Sequence, residues 1–98
     1  NEKELQKVSA ECGANGAKCT VIPLDLLETD SFEKKTKQAI SQYNKIDYLI
    51  LNGGISQRSF IKDTSLKIDK KIMDINYFGN IALAKAVLPQ MIKQQSGH

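Results

Sequence analysis

Three places in this sequence put a polar or very small residue beside an apolar run. Asp25 follows the run TVIP by two positions, and its carboxylate could accept a hydrogen bond from an amine such as adenine N6. The tripeptide Asn52-Gly53-Gly54 ends the run YLIL, and its glycines let the backbone approach a ligand with no Cβ in the way. Asn76 stands next to the apolar stripe of a predicted helix, where its amide could hold a water or a substrate.

Each of these places also has a purely structural interpretation. Asp25 could be a loop aspartate bonded to neighbouring backbone amides, and spacing alone favours that interpretation. The tripeptide at Asn52 could equally be a plain turn. Asn76 is unfavourable in the middle of a helix because asparagine competes for backbone hydrogen bonds, so it could be a satisfied structural amide. The residues by themselves leave the functional and structural interpretations open.

The composition excludes several classes of partner. The 14 lysines and arginines against 11 acidic residues give a net charge of +3. The basic residues are spread over the surface with one arginine and no interleaved aromatic residues, so no nucleic acid is expected. No metal site is expected, because Cys12 and Cys19 have no histidine near them. Spacing leaves a disulfide between them open, but reduced thiols are favoured.

The first two predicted helices follow from apolar spacing and end signals. Apolar residues at intervals of three and four precede Gly13, which is expected to stop the first helix. The second helix is predicted over Asp30–Tyr43. Its start is indicated by Glu33, three positions after Asp30, as in a capping box.

Two strands and a third helix complete the predicted order. The strands are Ala17–Pro23, rich in β-branched residues, and Ile46–Asn52, which is nearly all apolar, as in a strand covered on both faces. The third helix is expected to be capped by Thr64 or Ser65 and to be kinked or ended by Pro89 within about one turn.

The order helix, strand, helix, strand, helix predicts an α/β architecture with parallel strands and right-handed crossovers. In open sheets of this kind, ligands bind beyond the carboxyl ends of the strands. Asp25 and the Asn52 tripeptide both follow such ends. The predicted architecture therefore brings these two places to one edge of the sheet.

Three runs carry a resemblance to a known family. VIPLDL, KIDYLILNGGIS and KKIMDINYFGNIALAKAVLPQM, in this order, resemble the central part of a short-chain dehydrogenase/reductase. NGGISQRSF and DTSL are similar to the dehydrogenase/reductase member 7 branch, which is related to the hydroxysteroid dehydrogenases. The resemblance implies part of a Rossmann-type, doubly wound parallel sheet.

The resemblance assigns a role to each of the three places. It implies that Asp25 contacts the adenine amine and that Leu26 offers its backbone amide. Asn52, Gly53 and Gly54 match the last three positions of the family's Asn-Asn-Ala-Gly motif, beside the adenosine ribose and against the central strand. Asn76 matches the asparagine of the catalytic tetrad, which kinks its helix and holds a water in the proton relay.

The sequence departs from the family motif at two positions. Leu51 replaces the first asparagine and so removes a side-chain amide, which puts the local stabilisation of the turn in doubt. Gly53 replaces alanine, a change that is shared by the member 7 branch and is expected to be benign.

The resemblance also implies a cofactor, a substrate class and further parts. The cofactor is NAD or NADP, with NADP slightly favoured, and the reaction interconverts an alcohol and a carbonyl on a lipophilic substrate such as a steroid or retinoid. A homo-oligomer through the third helix and an endoplasmic reticulum location, with an anchor outside these residues, are also implied; a cytoplasmic location is the alternative.

Residues 1–98 are expected to be the central part of one domain, without its first two strands and its C-terminal half. The family places a glycine-rich turn before Asn1, and a serine and a Tyr-x-x-x-Lys pair after His98. The 98 residues alone are therefore expected to be inactive.

Two other classes of α/β protein fit the sequence less well. A nucleotide-binding methyltransferase would more naturally show Asn/Asp-Pro-Pro-Tyr after its strand than the observed Asn-Gly-Gly-Ile. A receiver-type interaction module needs a phosphorylatable aspartate with acidic partners, and no such cluster follows either predicted strand. Neither class explains Asn76.

Overall fold

The computed structural model describes all residues 1–98 and contains four α-helices. The last two helices form one continuous run, joined by a single wide turn of π-helix that we call the π-turn. The three predicted helices are thereby confirmed, the third being this combined run. The helices are α1 (Glu2–Ala14), α2 (Phe32–Tyr43), α3 (Leu66–Met73) and α4 (Asn80–Gln94), with the π-turn at Asp74–Gly79 and short 3-10 turns at Thr29–Ser31 and Ile61–Asp63.

Side-chain caps explain some helix starts. Of the two predicted caps of α3, Thr64 and Ser65, the structure uses Ser65, whose hydroxyl accepts a hydrogen bond from the Ile68 amide at 3.4 Å. The capping box predicted at Asp30 is wrong. Residues Thr29–Ser31 form a 3-10 turn instead, α2 begins only at Phe32, and no side chain caps it. The 3-10 turn draws Asp30 into a tight bend before the helix, so its carboxylate is not at the cap position.

Pro89 lies inside α4 and does not end it. The helix runs on to Gln94, about one and a half turns further, and ends where Gln95 takes a left-handed conformation with φ of 57°. Proline has no N–H to donate to the preceding turn. The loss of one backbone hydrogen bond is therefore tolerated here without a break in the helix.

The two predicted strands, residues 17–23 and 46–52, are not part of any strand ladder in the structure. Each is irregular chain, and the two do not pair with each other. The physical reason is that a ladder requires a neighbouring strand. The one backbone pairing is with the end of the chain: the His98 amide donates to the Asp47 carbonyl at 2.9 Å and the Leu49 amide donates to the His98 carbonyl at 2.8 Å. This alternation is the pattern of a parallel pair.

The helices form an open layer with little interior. Five of the 98 residues are buried, and they lie on α2, the π-turn and α4: Phe32, Thr36, Ile75, Gly79 and Val87. The accessible surface is 7994 Å², whereas a compact chain of this mass exposes about 5,600 Å². The radius of gyration is 16.0 Å, against about 13 Å for a compact domain of this length. The apolar faces beneath the helices are therefore uncovered.

Candidate functional site

The loop after the first predicted strand contains Asp25 in a local turn. One carboxylate oxygen of Asp25 accepts a hydrogen bond from the Leu27 amide at 2.9 Å, and its backbone carbonyl accepts from the Glu28 amide at 2.9 Å. This is the loop-aspartate arrangement that spacing favoured. The carboxylate has about four acceptor positions, and the residue is exposed, so it can accept further hydrogen bonds from a ligand.

Leu26 lies between two glycines that come from distant parts of the chain. A Cβ built on Gly79 would lie 2.5 Å from the Leu26 carbonyl oxygen, and a Cβ built on Gly53 would lie 2.5 Å from Leu26 Cδ1. Both distances are shorter than van der Waals contact. The missing side chains therefore let the Asp25 loop approach the tripeptide and the π-turn together.

Gly53 and Leu26 fit each other as a pair. An alanine at position 53, the residue of the family motif, would require the end of the Leu26 side chain to move. The glycine therefore accommodates the leucine. Asn52 is exposed, and its side chain makes no hydrogen bond within the chain.

Asn76 is bonded twice to one residue of the segment after the tripeptide. Its Nδ2 donates to the Ile55 carbonyl at 2.7 Å, and its Oδ1 accepts from the Ile55 amide at 2.8 Å. Oδ1 also lies 3.2 Å from the position a Cβ would occupy on Gly54. The side-chain amide thus has a structural partner at both ends, and one N–H and one lone pair remain for anything else.

Asn80 is a site residue that the sequence analysis missed. Its Nδ2 lies within hydrogen-bond distance of the carbonyls of Gly53 at 3.2 Å, Ile75 at 3.2 Å and Asn76 at 3.0 Å, while its Oδ1 is buried without a partner. In a π-turn the backbone hydrogen bonds join residues five apart instead of four, and Asn80 Nδ2 adds a donor at two of its carbonyls. The available signal was the spacing of four from Asn76, which places both amides on one helix face.

The predicted site residues Leu26, Gly53, Gly54 and Asn76 are therefore neighbours in space. Leu26 contacts the turn at Gly53, Gly54 lies against Asn76, and Asn80 joins Gly53 to the π-turn. All of them lie where the two irregular segments end. The arrangement offers exposed backbone without side chains, one carboxylate and a set of amides.

Other possible chemistry is limited. No group of three or more histidine, cysteine, aspartate or glutamate residues is placed to hold a metal ion, and Cys12 and Cys19 are free thiols. None of the helices has the length and apolar character needed to cross a membrane.

Comparisons with known proteins show what this chain is similar to. The family described as short chain dehydrogenase matches residues 1–98. The human protein named "Dehydrogenase/reductase SDR family member 7" is 43% identical over 98 residues, which are 96% of this chain and 29% of the human protein. The Drosophila melanogaster "Dehydrogenase/reductase SDR family protein 7-like" is 48% identical over 79 residues, 81% of this chain and 24% of that protein. The chain thus spans less than a third of these two curated relatives.

Solved structures share the fold. NAD+-bound xylitol dehydrogenase superposes with a TM-score of 0.91 and 26% identity, over 99% of this chain and 38% of that one. An alcohol dehydrogenase from the archaeon Thermococcus sibiricus, complexed with 5-hydroxy-NADP, gives a TM-score of 0.90 and 18% identity, over 98% of this chain and 41% of that one. These likenesses support an α/β fold of the Rossmann type.

The close approach at Gly79 yields a stability prediction. For all experiments below, the full-length form means residues 1–98 within their complete polypeptide, or within the human relative in place of its matching segment. Gly79→Ala is expected to lower the unfolding free energy of this form by about 1–3 kcal/mol, because the new methyl group overlaps the Leu26 backbone, which cannot move aside as a side chain can. Chemical denaturation measures the change.

Gly13→Ala is the matched control for Gly79→Ala. Apart from the neighbouring backbone of its own helix, nothing lies within 4 Å of a Cβ built on Gly13, and this glycine is also helical. Alanine there is expected to raise the unfolding free energy by up to about 1 kcal/mol, since it is the better helix former. Equal effects of the two substitutions would show that the contact with Leu26 does not constrain the fold.

Proposed function

Because this chain belongs to the short-chain dehydrogenase family, we propose that it forms the central part of one NAD(P)-binding domain of an oxidoreductase that interconverts alcohols and carbonyls. The observation that carries the proposal is the convergence of Leu26, the tripeptide at Asn52 and Asn76 at one edge of the fold. The proposed domain has its first two strands between the two irregular segments. Its C-terminal half is proposed to follow His98.

The residues present fit the adenosine half of a nicotinamide dinucleotide. The backbone N–H groups of Leu26, Asn52, Gly53 and Gly54 donate to no acceptor within the chain, so they are available to a ligand. Gly53 and Gly54 present no Cβ, which lets the ribose approach the backbone. Asp25 retains acceptor positions for the adenine amine. When bound, the dinucleotide supplies or accepts a hydride at nicotinamide C4.

Asn76 is proposed to hold a water that passes a proton during the reaction. Its side-chain amide is already bonded to both backbone groups of Ile55, so that amide mainly fixes the position of the π-turn. The water is then held by the remaining N–H of the amide. Asn80 supports this role because it orients the Asn76 carbonyl at 3.0 Å.

Finer features of the function rest on the family resemblance. NADP is the coenzyme to test first, and the substrate is proposed to be a lipophilic carbonyl or alcohol such as a steroid or retinoid. A homo-oligomer is proposed through the combined run from α3 to α4. On the α4 part of this run, Leu88 and Ile92 are 51% and 67% exposed. The proposed location is the endoplasmic reticulum membrane, with the anchor outside residues 1–98.

The decisive experiment measures coenzyme binding and oxidation by the full-length form. NADPH and NADH are titrated by fluorescence, and their absorbance is then followed with steroid, retinoid and simple carbonyl substrates. We expect binding of one coenzyme and its oxidation only when a carbonyl compound is present. A complete polypeptide without a Tyr-x-x-x-Lys pair, or without coenzyme binding, would overturn the proposal.

A further inference from the structure

Gln94, near the end of α4, is bonded to both backbone groups of one residue. The Ile46 amide donates to Gln94 Oε1 at 2.9 Å, and Gln94 Nε2 donates to the Ile46 carbonyl at 2.8 Å. Gln90 Nε2 also donates to Gln94 Oε1 at 2.9 Å, which orients the amide. These bonds are partly buried. They fix the start of the segment that leads to the tripeptide at Asn52.

This arrangement repeats the one at Asn76. There, too, a side-chain amide from the helical run pairs with the N–H and C=O of a single residue, Ile55. Ile46 and Ile55 are thus the two ends of one stretch, residues 46–55, and each end is held by an amide from the same helical run. We call these contacts the Gln94 clamp and the Asn76 clamp.

The two clamps are matched in length. Asn76 and Gln94 are 18 positions apart, which is about five helical turns and about 27 Å of helix. Ile46 and Ile55 are nine positions apart, and a chain of that length spans at most about 30–32 Å. The order of the contacts is reversed, since Gln94 holds the start of the stretch and Asn76 its end. The clamps therefore keep residues 46–55 close to full extension, antiparallel to the helical run.

From this match we infer that Gln94 is a positioning residue for the coenzyme site, although it lies at the opposite end of the helical run from Asn76. The inference rests on the proposed function. Within the stretch, Asn80 adds a hydrogen bond to the Gly53 carbonyl and His98 pairs with Asp47 and Leu49. The Gln94 clamp is the contact from the helical run that fixes the first residue, and together with the Asn76 clamp it sets the direction and register of the stretch. The tripeptide at Asn52 lies between the clamps, and it contacts Leu26 through Gly53. The Gln94 clamp thereby holds the free N–H groups of the tripeptide where a ligand meets them.

Glutamine is suited to this position because it both donates and accepts. Arginine and lysine only donate, and an ionised glutamate only accepts. Without Gln94 Oε1 and Nε2, the N–H and C=O of Ile46 would lose their partners. Ile46 is half-buried, and backbone groups away from water are almost always paired.

The first test measures coenzyme binding and turnover of the full-length form. Gln94→Ala is expected to weaken coenzyme binding about fivefold to tenfold through the loss of two hydrogen bonds, while kcat at saturating coenzyme changes less than about twofold. Gln94→Arg keeps the donor to Ile46 and should give a smaller loss. Gln38→Ala is the matched control, since Gln38 is an exposed helical glutamine whose side chain makes no hydrogen bond. A purely structural role would instead lower kcat, through loss of folded enzyme, at unchanged coenzyme affinity.

The second test, hydrogen exchange of the Ile46 and Ile55 amides without coenzyme, does not depend on activity. Gln94→Ala is expected to speed exchange at both amides, and Gln94→Arg mainly at Ile46, while Gln38→Ala changes neither. If the unsubstituted full-length form bound no coenzyme, only the proposed function would be refuted. The exchange rate of the Ile55 amide would still show whether the Gln94 clamp and the Asn76 clamp are coupled. Unchanged exchange at Ile55 in Gln94→Ala, or unchanged coenzyme affinity where the parent binds it, overturns the inference.

Discussion

Asn76→Ala in the full-length form is expected to lower kcat about a hundredfold, the order of magnitude of a lost proton-transfer contact. Two effects combine. The alanine removes both hydrogen bonds to Ile55, so the π-turn shifts relative to the tripeptide at Asn52, and the water of the proton relay loses its support. Loss of the Asn76 clamp should also weaken coenzyme binding, but by no more than about tenfold. Steady-state kinetics with coenzyme and substrate varied separately measure both quantities.

Two comparisons make this result specific to Asn76. Asn15→Ala changes an exposed asparagine at the end of α1, whose side chain bonds only to the Glu11 carbonyl, and it should leave kcat unchanged. Gln94→Ala should weaken coenzyme binding without the large loss of kcat. If Asn76→Ala turned over as fast as the parent, Asn76 would be a structural amide and nothing more.

The 98 residues expressed alone are expected to show no cooperative thermal transition and no measurable binding of NADH or NADPH. The reason is the uncovered surface beneath the helices. Tyr48 and Ile50 are 72% and 82% exposed, and most backbone groups of residues 17–23 have no partner. A small domain has about 5–15 kcal/mol of stability in total. The stabilising free energy that is lost when these apolar side chains stay exposed is larger than this.

Circular dichroism during heating and the dispersion of amide NMR signals test this expectation. The full-length form is the control, and it should melt in a single sharp transition. A sharp two-state melt of the 98 residues alone would contradict the prediction. It would also require the segments 17–23 and 46–52 to pair directly, a topology different from the one proposed.

The helices could be predicted from sequence because their signals are local. Apolar spacing located α1, α2 and the run from α3 to α4, and the cap of α3 was narrowed to Thr64 or Ser65, of which Ser65 is the one used. The start of α2 was wrong because a 3-10 turn competes with a capping box over the same few residues. The strands were read from local composition, yet a ladder depends on neighbouring strands, which no local pattern supplies.

Only part of the candidate site could be predicted from the sequence, because local patterns do not show which distant residues come together. The contact between Leu26 and Gly53 brings together the ends of the two predicted strands, whereas the roles assigned to these residues stay predictions. Asn80 and Gln94 were missed, because their partners are backbone groups 27 and 48 positions away. A backbone partner has no side chain that would mark it in the sequence. Amide side chains that hold distant backbone are therefore visible only in three dimensions.

The late position of Gln94 has a consequence for the newly made chain. Ile46 leaves the ribosome 48 residues before its partner, a delay of a few seconds at ordinary rates of synthesis. During that time the run YLIL is an unprotected, β-prone segment of the kind that associates between copies. Lys45 and Asp47, an exposed ion pair at 3.5 Å, add little to folded stability. Beside this run, however, they act as gatekeeper charges against aggregation before either clamp exists.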